Sequence, residues 1–149
     1  MDLEQMISLL DADQQREVTH WHFYLHSSMV VTGLHRFEVR EFLQKQAAEE
    51  MHHVDMFGQL ILGLGGKPST NNVTLNCPYF ENPRLILEHA YKLEQEVVSN
   101  YTNRIEHAHQ LAESGDRVNA KFIELFLEDQ LLHSRKDLDE MGMILRGLP

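Results

Sequence analysis

Glu50-Met51-His52-His53 sets a carboxylate and an imidazole three residues apart. On an α-helix that spacing brings Glu50 and His53 onto one face, where the two side chains can grip one metal ion. A second, altered unit lies downstream at Gln130-Leu131-Leu132-His133. Hard carboxylate oxygens with imidazole nitrogens suit iron or manganese, and the donor types alone do not separate these two ions. One such pair on a helix is also what a solvated surface carries, so the rest of the chain must supply the remaining ligands.

It supplies them as a repeat. Laying the first half of the chain over the second matches Glu17 with Glu94 and, seven residues on, Tyr24 with Tyr101. Glu50-x-x-His53 then falls on Gln130-x-x-His133, and each unit follows an acid, Glu49 or Asp129. The offsets agree closely: 50 − 17 = 33 in the first half and 130 − 94 = 36 in the second. Glu17, Glu50 and Glu94 buried together would cost several kcal/mol or more without a cation to compensate them. A metal ion among them removes that cost. Gln130 admits two readings, a neutral and weaker ligand or an amide that is merely hydrogen-bonded. Glu49 and Asp129 are placed to accept the second ring N–H of a ligating histidine across the bundle, the usual way its tautomer is fixed.

Four long helices must hold these residues. The punctuation predicts them at about Asp2 to Thr32, about Arg36 to Leu64, from Pro83 to about Glu113, and from Asp116 to about Arg146. Asn82-Pro83 reads as an N-cap followed by proline at the first helical position, and Asp116 can cap the last helix. That helix carries Phe122, Ile123, Phe126, Leu127, Leu131, Leu138, Met141 and Leu145 at spacings near the helical period. Tight joints at 33–36 and 114–116 make two antiparallel hairpins. The polar stretch from Gly65 to Asn82 is long for a loop in a compact domain. One long connection between two hairpins is the pattern of an up-down-down-up bundle.

Length and charge bound the rest. A chain of 149 residues is the size of one domain and can bury a core without disulfides. Cys77 is its one cysteine, which excludes an internal disulfide and cysteine-based clusters within a chain. A reducing, cytoplasmic setting is the default expectation. No run of roughly 18 apolar residues occurs, and Met1-Asp2-Leu3-Glu4 lacks the basic-then-apolar order of a secretion signal; no membrane partner is expected. A formal charge of −10 without a basic tail makes nucleic acid an unfavourable partner.

Glu17 with Tyr24, Glu50-Met51-His52-His53, Glu94 and the turn around His133, in this order and over about residues 3 to 145, resemble the ferritin-like superfamily. Within it, the likeness is to bacterioferritins, ferritins and related ferroxidase cages. The resemblance implies an all-α, ferritin-like four-helix bundle over residues 1–149 as a single domain, with a long crossover between the second and third helices. It implies that Glu17 and His53 bind one ion, Glu94 and His133 the other, that Glu50 bridges them, and that Tyr24 stands near the site. Gln130 occupies the place where bacterioferritins carry a second bridging glutamate, which lowers the charge of the site from −4 to −3. Met51 sits where bacterioferritins offer a methionine to haem b at a two-fold axis; the bland alternative is a core or interface methionine. His20-Trp21-His22 is similar to the His-Trp pair of the starvation-induced mini-ferritins. His20, His22, His26, His35, His52, His89, His107 and His109 otherwise offer secondary metal sites or solvent-facing positions.

The function implied is a ferroxidase. It would oxidise Fe(II) with O2 or H2O2 at an intra-subunit di-iron site, with manganese as the other metal, and pass Fe(III) to storage or detoxification in a homo-oligomeric cage. The cage could be a 24-mer, a 12-mer or only a dimer. Two other classes stay open: a non-storage di-iron or di-manganese oxidase, peroxidase or catalase-like enzyme, and a degenerate structural or DNA-associated shell.

Overall fold

In the computed structural model, which describes residues 1–69 and 75–149, four helices account for nearly all regular structure: α1 (Leu3–Val30), α2 (Arg36–Gly63), α3 (Pro83–Glu113) and α4 (Arg117–Gly147). Their starts are fixed by side chains. Asp2 and Gln5 form a capping box, with Gln5 N donating to Asp2 Oδ1 at 2.8 Å and Asp2 N to Gln5 Oε1 at 2.9 Å. Asn82 caps α3 by accepting from Arg84 N at 2.9 Å, with Pro83 in the first turn, and Asp116 caps α4 through Asn119 N. The hairpin joints turn at Gly33 (φ +99°) and Gly115 (φ +118°), a backbone conformation in which a Cβ would be strained.

α1 packs along α2, and α3 along α4. Three polar bridges then tie α1 to α3 in opposite chain directions: Asp13 to Arg104, Glu17 to Tyr101, and Tyr24 to Glu94. With two antiparallel hairpins, this order fixes the up-down-down-up arrangement that one long connection demands. The crossover is anchored to the first half of α1 and to the residues just past its end. Ser69 N donates to Asp11 Oδ1 at 2.7 Å, and Thr32 N donates to Glu81 O at 2.9 Å. Residues 70–74 of the expected 65–82 loop lie outside the described residues. No helix is long and apolar enough to cross a membrane, among the described residues.

The core is divided. One apolar cluster gathers Met6, Leu10, Phe57, Ile61, Leu111, Ile123 and Leu127, and a second gathers Phe23, Val31, Leu43, Ile86, Leu87 and Met141. Between them lies a layer of buried polar side chains, Glu17, Glu50, His53, Glu94 and Gln130. Phe122, expected on the apolar stripe of α4, instead faces outward at 59 % exposure, because the buried strip runs through Ala120, Ile123, Leu127, Gln130, Ser134 and Met141.

Candidate metal centre

Glu17 from α1 and Glu50 with His53 from α2 each offer a ligand atom within 4.8 Å of the others, and all three are buried. His53 Nδ1 stands 3.7 Å from Glu17 Oε2 and 3.6 Å from Glu50 Oε2. The spacing works because the buried strip of α2 runs through Gln46, Glu50, His53 and Phe57, so both members of the Glu-x-x-His pair point inward. Glu94 enters the same layer from α3, almost fully enclosed.

Two tyrosines orient the carboxylates across the α1–α3 seam. Tyr24 donates to Glu94 Oε1 at 2.9 Å, and Tyr101 donates to Glu17 Oε1. Burial, with the neighbouring carboxylates, pushes both phenols well above their ordinary range, so each keeps its proton and acts as a donor. The acids divide the charge among themselves. Burial alone would raise Glu17, but the close approach of Glu50 and His53, with the nearby His20, outweighs it and holds Glu17 at about 2. Burial and the adjacent Glu17 charge push Glu50 well above the carboxylate range. Burial likewise raises Glu94 to about 8, against the opposing hydrogen bond from Tyr24. Burial would lower His53, but Glu17 beside it and the surrounding acids carry it upward.

A divalent cation fits this donor set. Glu50 Oε2 and Gln130 Oε1 are enclosed, and among the described residues neither has a hydrogen-bond partner. Buried acceptors without donors are costly, and a cation is the partner that three carboxylates, an amide oxygen and an imidazole have in common.

The second half of the repeat is assembled differently. Gln130 is buried, with its Nε2 donating to Met56 Sδ at 3.7 Å. His133 is not drawn in: its side chain is 60 % exposed, with Nδ1 at 3.0 Å from Asp129 O and 3.7 Å from Asp129 Oδ2. The cause is helix rotation. On α4 the inward position after Gln130 is Ser134, whereas on α2 the one after Glu50 is His53. Asp129 therefore meets His133 on its own helix rather than across the bundle. Both lie with Lys45, Glu49, His52 and Gln130 around an open cavity of ≈ 470 Å³ between α2 and α4 that reaches His53. Met51 is half-exposed on the outside of α2, away from the carboxylate layer.

Two features were not read from the sequence. Asp137 lies on α4 two turns beyond Gln130, where burial and the like charge of Glu49 raise it to about 7; the inward spacing 130, 134, 137, 141 is the signal that would have found it. Arg104 forks Asp13, Nε to Oδ2 at 2.7 Å and the second amino group to Oδ1 at 2.9 Å, both residues buried one turn from Tyr101 and Glu17. No local spacing announces that pair, whose members are 91 residues apart.

Comparison with known proteins agrees with this architecture. A ferritin-like diiron-carboxylate protein from Bacillus anthracis str. Ames superposes with a TM-score of 0.83 at 26 % identity, covering 97 % of this chain and 98 % of that one. A bacterioferritin from Rhodobacter capsulatus gives 0.75 at 21 %, covering 96 % and 84 %. A Dps protein from Vibrio cholerae O1 gives 0.82 at 10 %, covering 96 % and 90 %. No curated protein matches at the level of sequence. The sequence profile of the ferritin-like domain matches residues 7–141, nearly the whole helical bundle, and the chain belongs to that family.

Proposed function

We propose that this protein is a ferroxidase, oxidising Fe(II) with O2 or H2O2 at the centre built on Glu17, Glu50 and His53, for iron storage or detoxification in a homo-oligomeric shell. The observation that carries the reading is the buried trio of ligand atoms within 4.8 Å. Glu17 and His53 hold the first Fe(II), and Glu50, whose Oε2 has no hydrogen-bond partner among the described residues, extends toward a second ion. Glu94, Gln130 and His133 take that second ion once His133 turns inward from the cavity rim. Two Fe(II) give two electrons to O2, which leaves with two protons as hydrogen peroxide; peroxide as oxidant takes two electrons and two protons and leaves as water. The protonated carboxyls of Glu50 and Glu94 give up their protons as the cations replace them, and Tyr24 and Tyr101 keep the carboxylates aimed throughout.

The asymmetry sets the fate of the product. With Gln130 in place of a carboxylate, the second position holds its ion through a neutral oxygen and releases it more readily. The adjoining α2–α4 cavity is the exit such an ion would use. Relatives of this fold include a protein from Bacteroides fragilis described as a dodecameric thioferritin, and a closed shell of identical chains is the assembly proposed here.

Aerobic Fe(II) oxidation followed by absorbance tests the reading. The parent protein is expected to oxidise iron rapidly and Glu50→Ala to lose that phase; equal rates would sink the assignment. Shell mass and iron retained per chain separate storage from the alternatives: many irons per chain support it, whereas a dimer that keeps two through turnover identifies a resident-metal oxidase.

A further inference from the structure

His22, His26 and Met29 follow one another on α1 at i, i+4 and i+7. That spacing keeps three side chains on one strip of a helix. The strip is not the one that serves the buried centre, which runs through Glu17, His20, Tyr24, Ser27 and Ser28. His22 and His26 are half-buried at the surface, and Met29 is 55 % exposed. The two imidazoles are stacked, centroids 6.2 Å apart and planes 25° from parallel. Trp21 lies against His22 at 6.4 Å, and Tyr79 of the crossover meets His26 edge-on at 5.3 Å.

We propose that His22, His26 and Met29 form a second metal site, selective for copper, on the outer strip of α1. The donor chemistry decides the metal. A thioether is a soft ligand that selects Cu(I), and imidazole serves copper in either oxidation state. No acid occurs on α1 after Glu17, so the hard oxygens that iron and manganese prefer are missing from this strip. Seating an ion about 2.0 Å from one nitrogen of each ring asks the stacked imidazoles to close by roughly an ångström, which side-chain rotation supplies. The aromatic neighbours limit how far the rings can otherwise swing. The site stands apart from the carboxylate layer and does not depend on what that layer does.

Anaerobic titration with Cu(I) against a chromophoric chelator, and Cu(II) binding followed by electron paramagnetic resonance, test it in the full chain. The parent and Glu50→Ala are each expected to retain one Cu(I) per chain, and Cu(II) to show hyperfine coupling to imidazole nitrogen. His22→Gln with His26→Gln should lose the ion, with helicity checked by circular dichroism. Met29→Leu should weaken Cu(I) by about tenfold or more, the change that one lost bond worth ~1.4 kcal/mol produces. The proposal is overturned if copper persists in the double histidine variant, if Glu50→Ala alone removes it, or if Met29→Leu leaves Cu(I) affinity unchanged. A Cu(II) spectrum of the parent without nitrogen coupling overturns it with no variant at all.

Discussion

Tyr24 on α1 donates its hydroxyl proton to Glu94 Oε1 on α3 at 2.9 Å, and its repeat partner Tyr101 returns the same bond from α3 to Glu17. The exchange crosses the α1–α3 seam twice at matched positions. Each tyrosine thereby aims a buried glutamate of the opposite hairpin into the polar layer.

Removing one of these hydroxyls has a direction that can be measured. The Tyr24 bond pulls Glu94 down against burial, which holds it at about 8. Tyr24→Phe in the metal-free protein is therefore expected to raise the Glu94 pKa further, read by carbon NMR of labelled glutamate. A fall, or no change, would contradict the assigned bond. A buried neutral hydrogen bond of this kind is worth about 1 kcal/mol, so urea unfolding should show a loss of that order.

The same carboxyls set a pH dependence for the metal-free protein. Glu94 is raised from 4.5 to about 8 when folded, and Glu50 is raised as well. A carboxyl that binds its proton more tightly when folded contributes stability below its unfolded pKa and loses it as pH rises through the folded value. Thermal stability without metal should thus decline between about pH 4.5 and 8. Glu17 acts oppositely, and its contribution is lost only as pH falls toward 2. Adding Zn(II) or Mn(II) should reverse the decline at neutral pH, and a metal-free melting profile that rises from pH 5 to 8 would refute this charge distribution.

Gln130→Glu should move the apo and metal-bound proteins in opposite directions. Without metal it adds a carboxylate to a layer that already holds Glu50 and Glu94, and replaces the amide that donates to Met56. Stability should fall. With metal it supplies an anionic ligand where Oε1 now has no hydrogen-bond partner among the described residues, so chelator competition should show tighter retention. A variant that is weaker in both states would place Gln130 outside the coordination sphere.

Arg104→Met leaves Asp13 buried with Arg16, 3.0 Å away, as its one remaining counter-charge among the described residues. Breaking a buried pair costs about 3–5 kcal/mol, whereas replacing both members by apolar groups is often nearly neutral. The double variant Asp13→Leu/Arg104→Met is expected to recover most of the stability lost by Arg104→Met in urea unfolding. If the double variant is no more stable than the single one, the fork is not the source of the loss.

Much of the molecule was legible along the chain. Helix ends are governed by local chemistry, so Asn82-Pro83, Asp116 and the turn glycines placed α3, α4 and both hairpin joints within a residue or two of their observed limits. That Glu50 and His53 share one face followed from their spacing, because three residues on a helix subtend a narrow arc; that this face turns inward rested on the repeat that supplies the other acids. The internal repeat extended that inference to Glu17 and Glu94, and one long connection between two hairpins specified the topology.

What spacing could not determine was the rotation of each helix about its own axis. Gln130 and His133 repeat the interval of Glu50 and His53, yet α4 is turned so that Ser134 takes the inward place and His133 is left at the cavity rim. That rotation is set by how Ile123, Leu127 and Met141 pack against the other helices, a balance of many distant contacts. The same packing brings Asp137 toward Glu49 and joins Asp13 to Arg104 across 91 residues. Residue identity and interval determined which side chains could form a metal centre; tertiary packing decided which of them meet in the buried layer and which are left at its rim.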